Sequence, residues 1–392
     1  MALDPVPVSR SALEQHRLER VRRALSGSGT DVLIVSSPEN VLYTTGYQSV
    51  PAELNRRYAM GALITAERVM LVVPAADTAA AIAEGIPPSE IVPFGRFYFS
   101  GRAESASMSD RHASIEEAMS VALARLPGNR VRLESHGLPS TVRDLIAARY
   151  EHVLGATKWM LRVRSRKLPE EVALLRRASE LAERGIEAGL AVAEVGVTDK
   201  EVAAQVASTM ALGGGMPRNV TVVGGERSAL SDVISTERPL CAGDLLRFDV
   251  GCDYYGYKSD MARTAVLGEP TRLQSERYLA LLAGLEAEMA IASAGTEAGK
   301  LFAVAVSTVE LAGLVPYRRH HTGHAIGLSS YEHPVISADD RTQLQLDETF
   351  SLETPYYEPG WGGMMVEETG VVTEKGFDLF TTIDRSLRVI PV

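Results

Sequence analysis

The sequence predicts an α+β protein of two units: a smaller α/β domain over residues 1–160, then an α+β domain over 161–392. Three observations carry this. Short apolar strands alternate with amphipathic helical stretches through the first 150 or so residues, the pattern of an α/β unit. A basic stretch from Ala156 to Pro169 then closes on a proline at a helix start and marks a boundary. Beyond it, long helices alternate with strands and with two Gly-punctuated turns, each flanked by a pair of carboxylates.

In the first unit, Leu13, His16, Leu18, Val21 and Leu25 recur among charges and predict a helix over 11–26. Asp31 to Ser36 reads as a short buried strand, and Ser37 to Tyr47 as a turn followed by a strand. Ala59 to Pro74 reads as a hairpin around Thr65 to Arg68. Helices over 76–84, 114–126 and 140–149 and a strand over 130–134 complete the unit, which shows no catalytic cluster.

In the second unit, Pro169 to Ala193 predicts a long amphipathic helix, with Leu174, Leu175, Ala178, Leu181 and Ile186 at helical spacing. A second helix over 198–212 stops at Gly213 to Gly215. Val220 to Val223 is a strand, and 272–293 and 297–313 are helices.

Bulk composition excludes several classes. The 392 residues are 45% hydrophobic and 23% charged, ordinary for a soluble globular enzyme. The net charge of −10 argues against nucleic acid or an acidic membrane as partner. Two cysteines, Cys241 and Cys252, give no disulfide framework and point to a reducing, cytoplasmic setting. Met1 to Arg20 has no apolar core of a signal segment, and no stretch approaches 18 uninterrupted apolar residues.

The carboxylates carry the chemistry. Asp249 and Asp260 lie equally far from Tyr254 and Tyr255; Glu353 and Glu367 are symmetric about Gly360. Residues opposite each other in an antiparallel hairpin sit about 4.5–5.5 Å apart at Cβ, so each hairpin is expected to present a facing pair of acids. Facing acids repel unless something positive lies between them. One acid near a turn is ordinarily solvated. Asp249 and Glu353, however, sit inside apolar strands, where an unpartnered carboxylate is costly. Between the hairpins comes a histidine cluster, His320 to His324, punctuated by Gly323 and Gly327. Asp249, Asp260, His324, Glu353 and Glu367 make an oxygen-rich ligand set for divalent ions, with His320 as candidate support for His324. Five such ligands fit two ions about 3.5–4 Å apart, which turn a shared water into hydroxide and polarise a carbonyl. A carboxylate beside that water, here Glu353, shuttles its proton. The reaction class is hydrolysis of an amide or another C–N bond.

At these residues the sequence resembles the pita-bread superfamily: methionine aminopeptidases, prolidases, Xaa-Pro aminopeptidases and creatinases. The pattern is carried by Asp249 and Asp260, by His324 within Gly323-His-Ala-Ile-Gly327, and by Glu353 and Glu367. Asp260-Met-Ala-Arg-Thr264 is similar to that superfamily's Asp-x-x-Arg-Thr. Ser37 to Gly46 resembles the N-terminal domain of the prolidase–creatinase branch. The resemblance implies a creatinase-type N-terminal domain before a pita-bread catalytic domain. It also implies a homodimer and two ions of manganese, cobalt, zinc or iron. Creatinases lack the metal ligands; retention of all five here favours a metalloenzyme.

Departures from the pattern bear on substrate. Family peptidases carry a pocket histidine where this chain has Asp232, and a second one seven residues after the ligand histidine, where it has Tyr331. His333 follows two residues later, either turned into the pocket or a surface residue. Prolidases often place arginine where Met365 stands. Tyr331 could donate a hydrogen bond to substrate, and Asp232 either pairs with a cationic substrate group or is solvated. The expected substrate is a small peptide, as for an Xaa-Pro dipeptidase or aminopeptidase. A small-molecule amide of the creatine or ectoine kind is the alternative, and a non-catalytic binding protein on the same scaffold is the third.

Overall fold

The computed structural model describes residue 6 and residues 8–55, 58–99 and 111–392. The first five residues and Pro7, part of the stretch read for a signal segment, lie outside the described residues. The chain divides into two compact units, Val8–Arg164 and Ser165–Val392.

The first unit opens with α1 (Arg10–Gly27), whose start is capped by Ser9 and which buries Leu13, Val21 and Leu25. There follow β1 (Val32–Val35), α2 (Pro38–Thr45), α3 (Val50–Leu54), β2 (Gly61–Ile64), β3 (Val69–Pro74) and α4 (Thr78–Ala83). Next come β4 (Ile91–Phe94), α5 (Ile115–Ala124), β5 (Arg130–Leu133), α6 (Ser140–Arg149), β6 (His152–Gly155) and α7 (Thr157–Ser165). The six strands form one mixed sheet in the order β4-β3-β2-β1-β5-β6. Its core gathers Val32, Ile34, Leu63 and Val72 against Met119, Leu123 and Ile146. Ser37 to Tyr47, read above as turn and strand, is the helix α2. Ser37 caps Asn40 N–H, Pro38 takes the first turn, and Gly46 ends the helix at φ 78°. Glu134 fixes its start, accepting from Ser36 N, Ser37 N and Asn40 Nδ2.

The second unit begins with α8 (Pro169–Val192), led by Pro169 and by Glu171, which accepts from Leu168 N–H at 2.8 Å. Thr198 and Glu201 box the start of α9 (Asp199–Leu212). Then come β7 (Met216–Gly224), β8 (Leu245–Tyr254), β9 (Tyr257–Lys258) and β10 (Met261–Leu267). Helices α10 (Arg272–Ile291) and α11 (Ala298–Leu311) follow. The rest is β11 (Gly323–Ala325), β12 (Glu332–Val335), β13 (Thr349–Glu353), β14 (Tyr356–Glu358), β15 (Gly362–Met364), β16 (Glu367–Thr373), β17 (Gly376–Leu379) and β18 (Arg388–Ile390).

Two five-stranded sheets result. One runs β18-β10-β8-β7 with β9 on β8; the other runs β12-β11-β13-β16-β17, and β14 and β15 form a separate ribbon. Strand β8 is buried along nearly its whole length, and its two faces do different work. Phe248, Val250 and Cys252 pack with Leu181, Ile186 and Val206 of α8 and α9. Arg247, Asp249 and Gly251 alternate onto the opposite face. On the second sheet, Phe350 and Leu352 pack with Leu281, Leu285 and Leu301 of α10 and α11.

The sheets are clipped together beside the carboxylates. Thr264 Oγ1 of β10 donates to Met365 O and accepts from Met365 N–H, each at 2.9 Å. Arg263, fully buried, donates to Glu367 O at 2.7 Å and pairs closely with Glu368. The Arg-Thr of the Asp-x-x-Arg-Thr motif thus ties one hairpin to the other.

Candidate metal centre

The second hairpin has the expected form. Glu353 on β13 stands opposite Glu367 on β16, and the ladder continues into the ribbon through Tyr356 opposite Met364. The first differs. Tyr255 and Gly256, at φ 53° and 85°, make the two-residue turn, which closes on Tyr254 opposite Tyr257. Asp249 therefore faces Ala262, and the same register carries Asp260 to a place opposite Gly251. The aspartates share a face diagonally, about 7–8 Å apart at Cα by strand geometry. A side chain at Gly251 would meet Ser259 O at 2.7 Å, so only glycine permits this approach.

Asp260, His324 and Glu367 converge: each offers one ligand atom, and these lie within 4.8 Å of one another. His324 Nδ1 lies 3.2 Å from Ala325 O. A proton on Nδ1 satisfies that carbonyl and leaves Nε2 as a lone-pair donor, 3.8 Å from Asp260 Oδ2. Asp260 is held through its backbone: its carbonyl accepts from Ser351 Oγ at 3.0 Å and Thr369 Oγ1 at 2.6 Å. Glu367 Oε2 is buried with no hydrogen-bond partner among the described residues. Burial and the charges of neighbouring acids push Asp260 and Glu367 well above the ordinary carboxylate range. Burial also holds His324 down at about 4, so the imidazole is neutral. Crowded, desolvated acids, a neutral imidazole and an orphaned acceptor suit a divalent cation.

The remaining two expected ligands lie against protein side chains. Asp249 Oδ2 lies 2.9 Å from Arg247 Nη1, and Asp249 Oδ1 accepts from Asn219 Nδ2 at 3.2 Å. Burial raises Asp249 to about 6 against the opposing effect of Arg247. Glu353 Oε1 lies 2.8 Å from His321 Nδ1 and 3.6 Å from Arg319 Nη2. Burial alone would raise Glu353, but His321, Arg319 and His324 together hold it below the usual value.

The other predicted residues take varied places. Tyr331 lies flat on His324, ring centres 3.7 Å apart and planes 22° from parallel. Tyr331 is 55% exposed, yet the covered part of its ring and the charges of Glu353, Glu367, Asp260 and Asp249 push its phenol upward, so the hydroxyl keeps its proton. Asp232 is exposed, yet its charge reaches Asp249 and Asp260. Met365 is buried, its Sδ 3.7 Å from Tyr357 Oη. His320, expected to support His324, is exposed; Ala325 O is the partner of His324 Nδ1, and the neighbouring His321 reaches Glu353 instead. His333 is also exposed, with Thr342 Oγ1 3.3 Å from Nε2 and Asp340 3.8 Å from Nδ1.

Residues not expected from the sequence complete the site. Arg247 was legible, since two positions along a strand share a face. Asn219 was not: it enters at φ 44° through an irregularity of β7 between Arg218 and Thr221. Arg319 adjoins the histidine cluster. Glu288 of α10, fully buried, accepts from Thr322 Oγ1 at 2.7 Å, and Thr322 O accepts from Glu353 N–H.

Residues 173–374 match metallopeptidase family M24, and residues 17–166 match the creatinase/prolidase N-terminal domain. The Xaa-Pro dipeptidase of Lactobacillus helveticus is 30% identical over 262 residues, 64% of this chain and 71% of that protein. That of Lactobacillus delbrueckii subsp. lactis is 28% identical over 96% of this chain and 99% of its own length. Among solved structures, the X-Pro aminopeptidase of Thermotoga maritima matches with TM-score 0.81 at 24% identity, covering 95% of this chain and 99% of that one. The prolidase of Pyrococcus furiosus matches with TM-score 0.76 at 24% identity, covering 93% and 99%. The pattern of Asp260, His324 and Glu367 on two clipped sheets thus belongs to a pita-bread fold behind a creatinase-type domain, and the chain is a member of metallopeptidase family M24.

Proposed function

We propose that this protein is a metal-dependent Xaa-Pro dipeptidase whose ion is held by Asp260, His324 and Glu367. The convergence of those three donors within 4.8 Å carries the reading. A divalent ion bound there supplies Lewis acidity for the scissile carbonyl and for activating water. The surrounding residues have separable tasks. Glu353, kept ionised by His321 and Arg319, accepts the proton of the attacking water and passes it to the leaving amine. Tyr331, protonated and stacked on His324, donates to the oxygen that gains charge during attack. Asp232 stands at the exposed rim, placed for a cationic substrate group. The ion is drawn from manganese, cobalt, zinc or iron. The free thiols Cys241 and Cys252 fit a cytoplasmic setting, and the family resemblance supports a homodimer.

One observation favours a second reading, hydrolysis of a non-peptide C–N bond. A tyrosine rather than a histidine covers His324, and Asp232 rather than a histidine lines the rim. A panel of Xaa-Pro dipeptides, Xaa-Pro tripeptides, Met-initiated peptides, creatine and ectoine, run with manganese and again after chelation, decides between them. The proposal expects chelator-sensitive turnover of the dipeptides above all others. Turnover of creatine or ectoine with dipeptides untouched would replace it by the second reading.

A further inference from the structure

The sequence suggested a ligand set for two ions, and one of its members, Asp249, has a protein donor on each of its oxygens. Arg247 is 0% exposed and alternates onto the same face of β8 as Asp249. Its guanidinium is anchored on several sides. Nη1 lies 2.9 Å from Asp249 Oδ2, Nε donates to Ser228 O at 3.0 Å, and Nη2 donates to Leu230 O at 2.5 Å and Ser231 O at 2.7 Å. The ring of Tyr357 lies below it, 5.2 Å from the guanidinium carbon. Asn219 donates to the other oxygen of Asp249. A guanidinium so fixed cannot withdraw to admit an ion at Asp249, and it does not lose its charge. A divalent cation beside it would meet a like charge in a desolvated setting, where repulsion is strong. The convergent donor set among the described residues omits both Asp249 and Glu353.

We propose that Arg247 takes the place of a second cation: the site holds a single divalent ion, on Asp260, His324 and Glu367, and the guanidinium neutralises Asp249. This rests on the metal-dependent reading above and narrows it. Arg247 is a positioning residue. Through Ser228, Leu230 and Ser231 it also joins the loop carrying Asp232 to the acid cluster.

The test counts ions. Protein stripped by chelation, reloaded with excess manganese and desalted is assayed for metal by mass spectrometry and for spin coupling by electron paramagnetic resonance. The expected result is one manganese per chain with the spectrum of an isolated ion. Two ions with an exchange-coupled spectrum overturn the proposal. Arg247→Met is expected to admit a second ion, and if it stays at one the proposal fails. Because that variant also frees three loop carbonyls, Asp249→Asn supplies an independent reading. It retains one ion under this proposal, and a fall in uptake against wild type contradicts it. One bound ion without Xaa-Pro hydrolysis keeps the inference and overturns the dipeptidase reading. Two ions with hydrolysis does the reverse, and no ion overturns both.

Discussion

Glu353 and Glu367 stand directly opposite each other on adjacent strands, and their surroundings drive their acidities apart. Burial acts upward on both. At Glu353 it is outweighed by His321, Arg319 and His324; at Glu367 the charges of Asp260, Glu353 and Asp249 add to it. Two acids separated in this way divide their roles. Glu353 is ready to take a proton, and Glu367 is the acid that gains most from a cation.

Removing the Glu353 carboxylate should show this division. Glu353→Gln is expected to lower kcat on an Xaa-Pro dipeptide by about 10²–10⁴-fold, the usual worth of a positioned proton carrier. His321→Phe leaves the acid but removes the side chain that acts most strongly to lower it. With that lowering influence gone, the acidic limb of the kcat/KM profile should move to higher pH. A limb that stays in place would show that His321 does not govern Glu353.

Tyr331→Phe keeps the ring that covers His324 and deletes only the hydroxyl. Loss of one donor to a developing oxyanion costs about 10²–10³-fold in kcat. Wild-type kcat in this variant would assign Tyr331 to packing alone.

Without metal, the acid cluster makes stability depend on pH in a stated direction. Asp249 is raised to about 6, and Asp260 and Glu367 are raised well above the ordinary carboxylate range. Unfolded Asp titrates near about 3.9. A raised folded value means that the native state binds more protons, so the contribution is full below the unfolded value. It is lost as pH rises through the folded one. The Tm of chelated protein should therefore fall between pH 5 and pH 7, and manganese should restore it at the upper end. A Tm that rises over this interval in the chelated protein would contradict the cluster's electrostatics.

Lys167 and Glu332 form an ion pair at 2.9 Å with side chains only 2% exposed. Lys167→Met leaves the Glu332 carboxylate buried without its cation, at a cost of about 3–5 kcal/mol in urea unfolding. Lys167→Met combined with Glu332→Leu should recover much of that loss, because the stranded charge is gone. A double variant no better than the single one would place the energy elsewhere.

Much of this was legible in the sequence, for local reasons. Helical spacing and caps located α8 to α11 to within a few residues, and symmetry about Gly360 set the Glu353–Glu367 pair. What escaped depended on backbone detail. Moving the first turn one residue, from Tyr254-Tyr255 to Tyr255-Gly256, changed Asp249 and Asp260 from facing to diagonal. The Val41–Tyr43 run carries no period that separates strand from helix; the Ser37 cap, Pro38 and Gly46 decide it. Neighbouring histidines in a loop follow no fixed alternation, so only the fold shows that His321 rather than His320 turns inward.

The central claim is that Asp260, His324 and Glu367 hold the ion with which this chain cleaves Xaa-Pro dipeptides. Its most direct test is the rate of Ala-Pro hydrolysis by manganese-loaded wild type and by Asp260→Asn, a change that keeps size and removes charge. The account predicts that wild type turns over the dipeptide and that Asp260→Asn loses both bound manganese and turnover. Undiminished hydrolysis by Asp260→Asn would contradict it.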